Sequence, residues 1–112
     1  MKAGVKLLIL SLFIVAVLAA PPGKQTFSGT ITDSMCADAD HSRMRMGPTD
    51  AECAIACKNE HDAPYVLYDG KEAYTLSDQK LPEKFAGKKV TVTGTLDAKT
   101  KTIQVDSIIP AR

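Results

Sequence analysis

Lys88-Lys89-Val90-Thr91-Val92-Thr93-Gly94-Thr95-Leu96, continuing through Asp97-Ala98-Lys99-Thr100-Lys101 into Thr102-Ile103-Gln104-Val105, is the stretch whose reading decides the fold. Val90, Val92 and Leu96 alternate with Thr91, Thr93 and Thr95, the period-two pattern of a strand with one face buried. Residues 97–101 form a polar turn, and the chain returns as a last strand on Ile103 and Val105 that Pro110 closes. A β-hairpin therefore ends the chain.

Working back, residues 77–87 read as a short helical turn. Pro82 suits its first turn, Phe85 packs inward and Gly87 can stop it. Residues 65–68 and 72–76 are short strands around Asp69-Gly70, favoured chemistry for a tight hairpin with positive φ. Thr49 opens a helix with Glu52 three residues on, a capping-box spacing, and Pro64 ends it. Residues 33–48 show no sustained period and read as a loop. In residues 26–32, Phe27 and Ile31 point one way and Thr26, Ser28, Thr30 and Thr32 the other, with Gly29 marking a bulge or a close crossing. Five short strands with a helical turn before the last pair predict a mainly β fold, a small five-stranded OB-like barrel. An antiparallel sheet packed on one helix is the alternative.

Lys2 and Lys6 precede an apolar run of fourteen residues, 7–20, in which Ser11 is the only polar member. As a helix it would span roughly 21 Å at about 1.5 Å per residue, short of a hydrocarbon core of about 30 Å. A basic start, a short apolar stretch and small residues at Val17 and Ala19 predict a secretory signal over 1–19. The expected organisation is a lead-in at 20–25 and one domain at 26–110, with a Cys/His-rich loop-helix insert at 33–63. Export to the periplasm or the medium follows, with membrane contact only through an uncleaved signal. Losing Lys2 and Lys6 leaves 12 basic residues against 13 acidic ones. That balance supplies no electrostatic footprint for nucleic acid. A monomer with an unidentified ligand or protein partner is the expectation.

Two further patterns bracket the domain. Gly29-Thr30-Ile31-Thr32-Asp33-Ser34-Met35-Cys36 and Gly87-Lys88-Lys89-Val90-Thr91-Val92-Thr93-Gly94, with Cys53, Cys57 and Tyr65-Val66-Leu67 between them, resemble a group of small exported bacterial proteins. Their pattern is an initial G-x-I-x-D-S-x-C strand and a final G-K-x-V-x-V-x-G hairpin. The resemblance covers nearly the whole mature chain and implies an OB-like β domain. The group has no assigned activity, so the resemblance implies nothing about chemistry.

Chemistry is concentrated between Cys36 and His61, which hold all three cysteines and both histidines. The spacing is Cys36-x4-His41, then Cys53-x3-Cys57-x3-His61, which sets the last three on one expected helix face at i, i+4 and i+8. One reading is a disulfide. A bridge from Cys36 to Cys53 or Cys57 would close a loop of roughly 17–21 residues and contribute about 3 kcal/mol in the chain-entropy model. It would staple an exported binding or structural module and leave one thiol over. The other reading is a zinc or copper site drawn from Cys36, His41, Cys53, Cys57 and His61, with Met35, Met44 or Met46 as thioether help for Cu(I). Neither C-x-x-C nor C-x-x-C-H occurs, which removes the thioredoxin-type and c-type haem signatures. A thiol enzyme using Cys57 with His61 ranks third, because two groups on one exposed helix rarely form a shielded pocket. No catalytic residue is assigned, and no cofactor is expected apart from that metal.

Overall fold

A computed structural model of the chain describes residues 23–111; the expected signal segment lies outside the described residues. The strands are β1 (Gln25–Asp33), β2 (Tyr65–Tyr68), β3 (Ala73–Leu76), β4 (Lys89–Asp97) and β5 (Thr102–Pro110). One α-helix, α1 (Asp50–His61), lies between β1 and β2, and 3-10 turns occupy Ser34–Cys36 and Leu81–Phe85. The strands close into a barrel in the order β1-β2-β3-β5-β4. All pairings are antiparallel except β3 with β5. The mainly β, OB-like architecture expected from the strand count is therefore present. The seam between β3 and β5 is the shortest, two residue pairs, Thr75 opposite Thr102 and Leu76 opposite Ile103.

Strand β1 makes the closure by changing partners along its length. Its first part pairs with β4, from Gln25 opposite Gly94 to Thr30 opposite Lys89. Its second part pairs with β2, from Thr30 opposite Tyr68 to Asp33 opposite Tyr65. Gly29 sits where the two sheets cross. A Cβ there would stand 2.2 Å from the Tyr68 carbonyl oxygen, so only glycine fits without moving β2. The close crossing expected from the sequence is this contact.

The barrel interior is filled by Ile31, Tyr65, Leu67, Leu76, Val90, Val92, Ile103 and Ile108, with Ala54 of α1 and Ala86 covering it. Val90 and Val92 face in as their alternation predicts, whereas Leu96 and Val105 are only half-buried. Both still pack against the core, and β5 itself departs from simple alternation. Its register with β4 jumps from Ser107 opposite Thr93 to Val105 opposite Gly94, leaving Asp106 as an extra residue. Such a bulge shifts the alternation by one, so Ile103 and Ile108, of opposite parity, both turn inward.

The Asp69-Gly70 connection is wider than a two-residue hairpin. It runs over residues 69–72, and β3 begins at Ala73. Asp69 is responsible: its Oδ1 accepts from the backbone N–H groups of Lys71 and Glu72, both at 2.8 Å, while Gly70 takes φ +105°. Helix α1 begins as expected, with Thr49 Oγ1 accepting from Glu52 N–H at 3.1 Å. It ends at Asp62 in the left-handed region, and its buried residues, Cys53, Ala54 and Cys57, set it against β1.

Candidate metal centre

The last two residues of β1 build the floor of the Cys/His cluster. Thr32 and Asp33 are fully buried, although the strand alternation had placed Thr32 on the solvent face. Helix α1 lies over this end of the strand, so both of its faces are covered there. Asp33 Oδ1 accepts from Met35 N–H at 2.9 Å and Cys36 N–H at 3.1 Å. That cap starts the 3-10 turn and carries Cys36 inward, to 4% exposure.

The loop after Cys36 is shaped by its own aspartates. Asp38 and Asp40 accept from the backbone N–H groups of Asp40 and Ser42, each at 3.0 Å. Arg43 pairs with Asp38 at 2.9 Å on the surface. These turns face solvent, and His41 between them turns inward to 3% exposure. The Asp38 and Asp40 carboxylates stay exposed.

The hydrogen bonds of Thr32 settle how that imidazole is used. Thr32 Oγ1 donates its single proton to the Cys36 carbonyl at 2.8 Å. It lies 3.3 Å from His41 Nε2, so there it accepts, and Nε2 carries the proton. Nδ1 is buried and without a hydrogen-bond partner among the described residues, so in the neutral ring it presents an unshared lone pair. A ring nitrogen oriented through its opposite N–H is the usual condition of a metal-ligating histidine.

Cys53 and Cys57 arrive from α1, both fully buried as free thiols. The ligand atoms of Cys36, His41 and Cys53 all lie within 4.8 Å of one another. A tetrahedral ion bound at about 2.3 Å to sulfur and about 2.0 Å to nitrogen would hold its ligands roughly 3.5–3.8 Å apart. Contraction by about 1 Å would suffice. A disulfide would require the two sulfurs to close to about 2.05 Å. Cys57 stands at the margin of the set, its Sγ 3.5 Å from Met46 Sδ.

His61 is not brought in. It lies on the exposed last turn of α1. At about 100° per residue, eight residues rotate a side chain roughly 80° past its starting direction, so the Cys53–Cys57 face has turned away by His61.

The surroundings hold the thiols in their neutral form. Burial pushes the Cys57 thiol up to about 12, with the Asp33 carboxylate and the other two thiols adding to it. Cys36 is raised for the same leading reason, then by Asp33, and Arg43 opposes this. Asp33 Oδ2 is itself buried without a hydrogen-bond partner among the described residues. Neutral thiols beside an acidic side chain are poor nucleophiles. A metal ion reverses that balance by holding thiolates outright. The Cys57–His61 nucleophile pair is not assembled, since one is buried and the other exposed.

The sequence missed Thr32 and Asp33 as parts of the site. Their signal was the Asp-Ser-x-Cys spacing after a strand, which is that of a side-chain cap. Elsewhere, an open cavity of about 400 Å³ is lined by Ser28, Thr30, Tyr68, Asp69 and Lys89 and shares no residue with the cluster. No helix among the described residues is long and apolar enough to cross a membrane.

Fold and site together define a small OB-like barrel with a buried Cys/His cluster in the connection between its first two strands. A family model described as a protein of unknown function (DUF5818) matches residues 61–111, a little under half of the chain. The match takes in β2 to β5 and the Gly87–Gly94 pattern, and leaves Gly29–Cys36 and all three cysteines outside it. Neither curated proteins nor solved structures give a match.

Proposed function

We propose that this protein is an exported single-domain module that binds a zinc or copper ion through Cys36, His41 and Cys53, with Cys57 as the adjoining fourth donor. The observation that carries the proposal is the buried His41 imidazole, which offers a ring nitrogen within 4.8 Å of the Cys36 and Cys53 sulfurs and whose Nδ1 has no hydrogen-bond partner among the described residues. An unpaired buried polar atom costs about 1–3 kcal/mol, which a ligand there would relieve. The disulfide staple is the second reading, favoured by the same proximity of Cys36 and Cys53 and by an oxidising compartment. It accounts for the sulfurs and leaves Nδ1 unexplained.

Native mass spectrometry of the protein recovered unreduced from its own compartment separates the two. The metal reading expects one ion per chain, three thiols that become alkylatable after chelation, and a chain beginning at Ala20. One alkylatable thiol, no metal and a mass lower by two hydrogens would establish the staple instead.

A further inference from the structure

The geometry points to a second, sulfur-only donor set, Met46 Sδ with Cys57 Sγ and Cys53 Sγ, that holds Cu(I); this rests on the metal-binding reading above. The three sulfurs share one satellite cluster apart from the barrel core, where Cys53, Cys57 and Ala63 are buried and Met46 packs on them. Met46 Sδ lies 3.5 Å from Cys57 Sγ, and Met46 N–H donates to Cys53 Sγ at 3.3 Å.

Gly47 makes this approach sterically allowed. A Cβ at that position would meet Glu52 Cβ at 2.9 Å and Cys53 N at 3.1 Å. Any larger residue would lift the loop, and Met46 with it, off the helix. The chain thus gives up side-chain volume at Gly47 where Met46 sets its thioether against Cys57 and its backbone N–H against Cys53.

The two donor sets differ in the ion they suit, and they share Cys53. Cys36, His41 and Cys53 mix thiolate and imidazole, which zinc accepts. Thioether with thiolate is a soft set that selects Cu(I). A methionine filling a core gap would explain the packing alone. It does not explain the exposed methionines beside it. Among the described residues three large hydrophobic side chains are exposed, and two are Met35 at 42% and Met44 at 41%. Met35 precedes Cys36, and the Met44 carbonyl accepts from the Cys53 thiol at 3.4 Å. Soft ligands therefore stand at the rim as well as in the cluster. Cu(I) entering as the monovalent ion would displace the thiol protons of Cys53 and Cys57 to solvent, with no change of oxidation state.

The test uses the full mature chain, reduced and under nitrogen. Cu(I) affinity is read by competition with bicinchoninate, and zinc affinity by competition with a chromophoric chelator. Met46→Leu conserves volume and removes only the thioether. It should weaken Cu(I) by at least about tenfold, since even outer-shell losses cost about 10–100-fold, and leave zinc within about twofold. His41→Asn should do the reverse. X-ray absorption at the copper edge of the unaltered protein should show sulfur scatterers alone. Unchanged Cu(I) affinity in Met46→Leu, or an imidazole in the copper shell, overturns the sulfur-only set and leaves the metal reading standing if zinc binds. Failure of the unaltered protein to bind either ion overturns both.

Discussion

Thr32 Oγ1 has one proton and gives it to the Cys36 carbonyl, so His41 receives a lone pair and keeps its own proton on Nε2. One hydroxyl thereby fixes both the loop that carries Cys36 and the tautomer of the histidine. Thr32→Val keeps the shape and removes both bonds. It should cost about 1–3 kcal/mol in the metal-free protein and about 10–100-fold in zinc affinity, measured by urea unfolding and chelator competition; Thr32→Ser should restore most of each. The site was half legible at this scale. Cys36, His41, Cys53 and Cys57 drew attention because cysteine and histidine are scarce in the chain and crowd into one stretch. Thr32 did not, because alternation assigns a strand residue to a face and cannot say that α1 will cover both faces at the strand's end.

Among the elements, β1 has the most distinctive arrangement, since a single strand serves two partners and Gly29 marks the change. An added methyl would meet rigid backbone, the Tyr68 carbonyl at 2.2 Å, with no flexible side chain to yield. Gly29→Ala should therefore destabilise the barrel by about 3 kcal/mol, read as a lower urea midpoint. The Thr/Val alternation of β4 and the Thr49 cap of α1 were plain in the sequence because each depends on neighbours close along the chain. The Asp106 bulge was not, since it exists only relative to β4, and it turns Ile108 inward on the same side as Ile103. His61 shows the limit of helix spacing. An i+8 relation keeps a side chain near a face only when that face is wide, and here it is the narrow strip of Cys53, Ala54 and Cys57.

Across the whole molecule, the barrel core and the cysteine cluster are separate packed units: Tyr65 belongs to the first, Cys57 to the second. Both groups titrate above their ordinary values. Tyr65 is raised by burial, then by the Glu83 carboxylate that accepts its O–H at 3.1 Å. A raised folded value means that the neutral form is favoured by folding. The stability it confers is complete below the unfolded value, about 10 for a phenol and about 8.5 for a thiol, and is lost as pH rises through the folded value. The metal-free protein should therefore hold its urea midpoint near neutrality and lose it progressively above about pH 9, where Cys57 and then Tyr65 must ionise to unfold favourably. Tyr65→Phe should lower the midpoint at pH 7, by about 1 kcal/mol for the lost hydrogen bond, yet show a shallower alkaline decline.

The account turns on the proton of His41. Long-range proton–nitrogen correlation NMR of the histidine rings, recorded on the reduced protein before and after zinc, reads it directly. The prediction is a proton on Nε2 and a bare Nδ1 in the metal-free protein, with the Nδ1 resonance moving strongly on zinc binding while that of exposed His61 stays in place. A proton on Nδ1, or an Nδ1 resonance that zinc leaves unmoved, would contradict the metal centre.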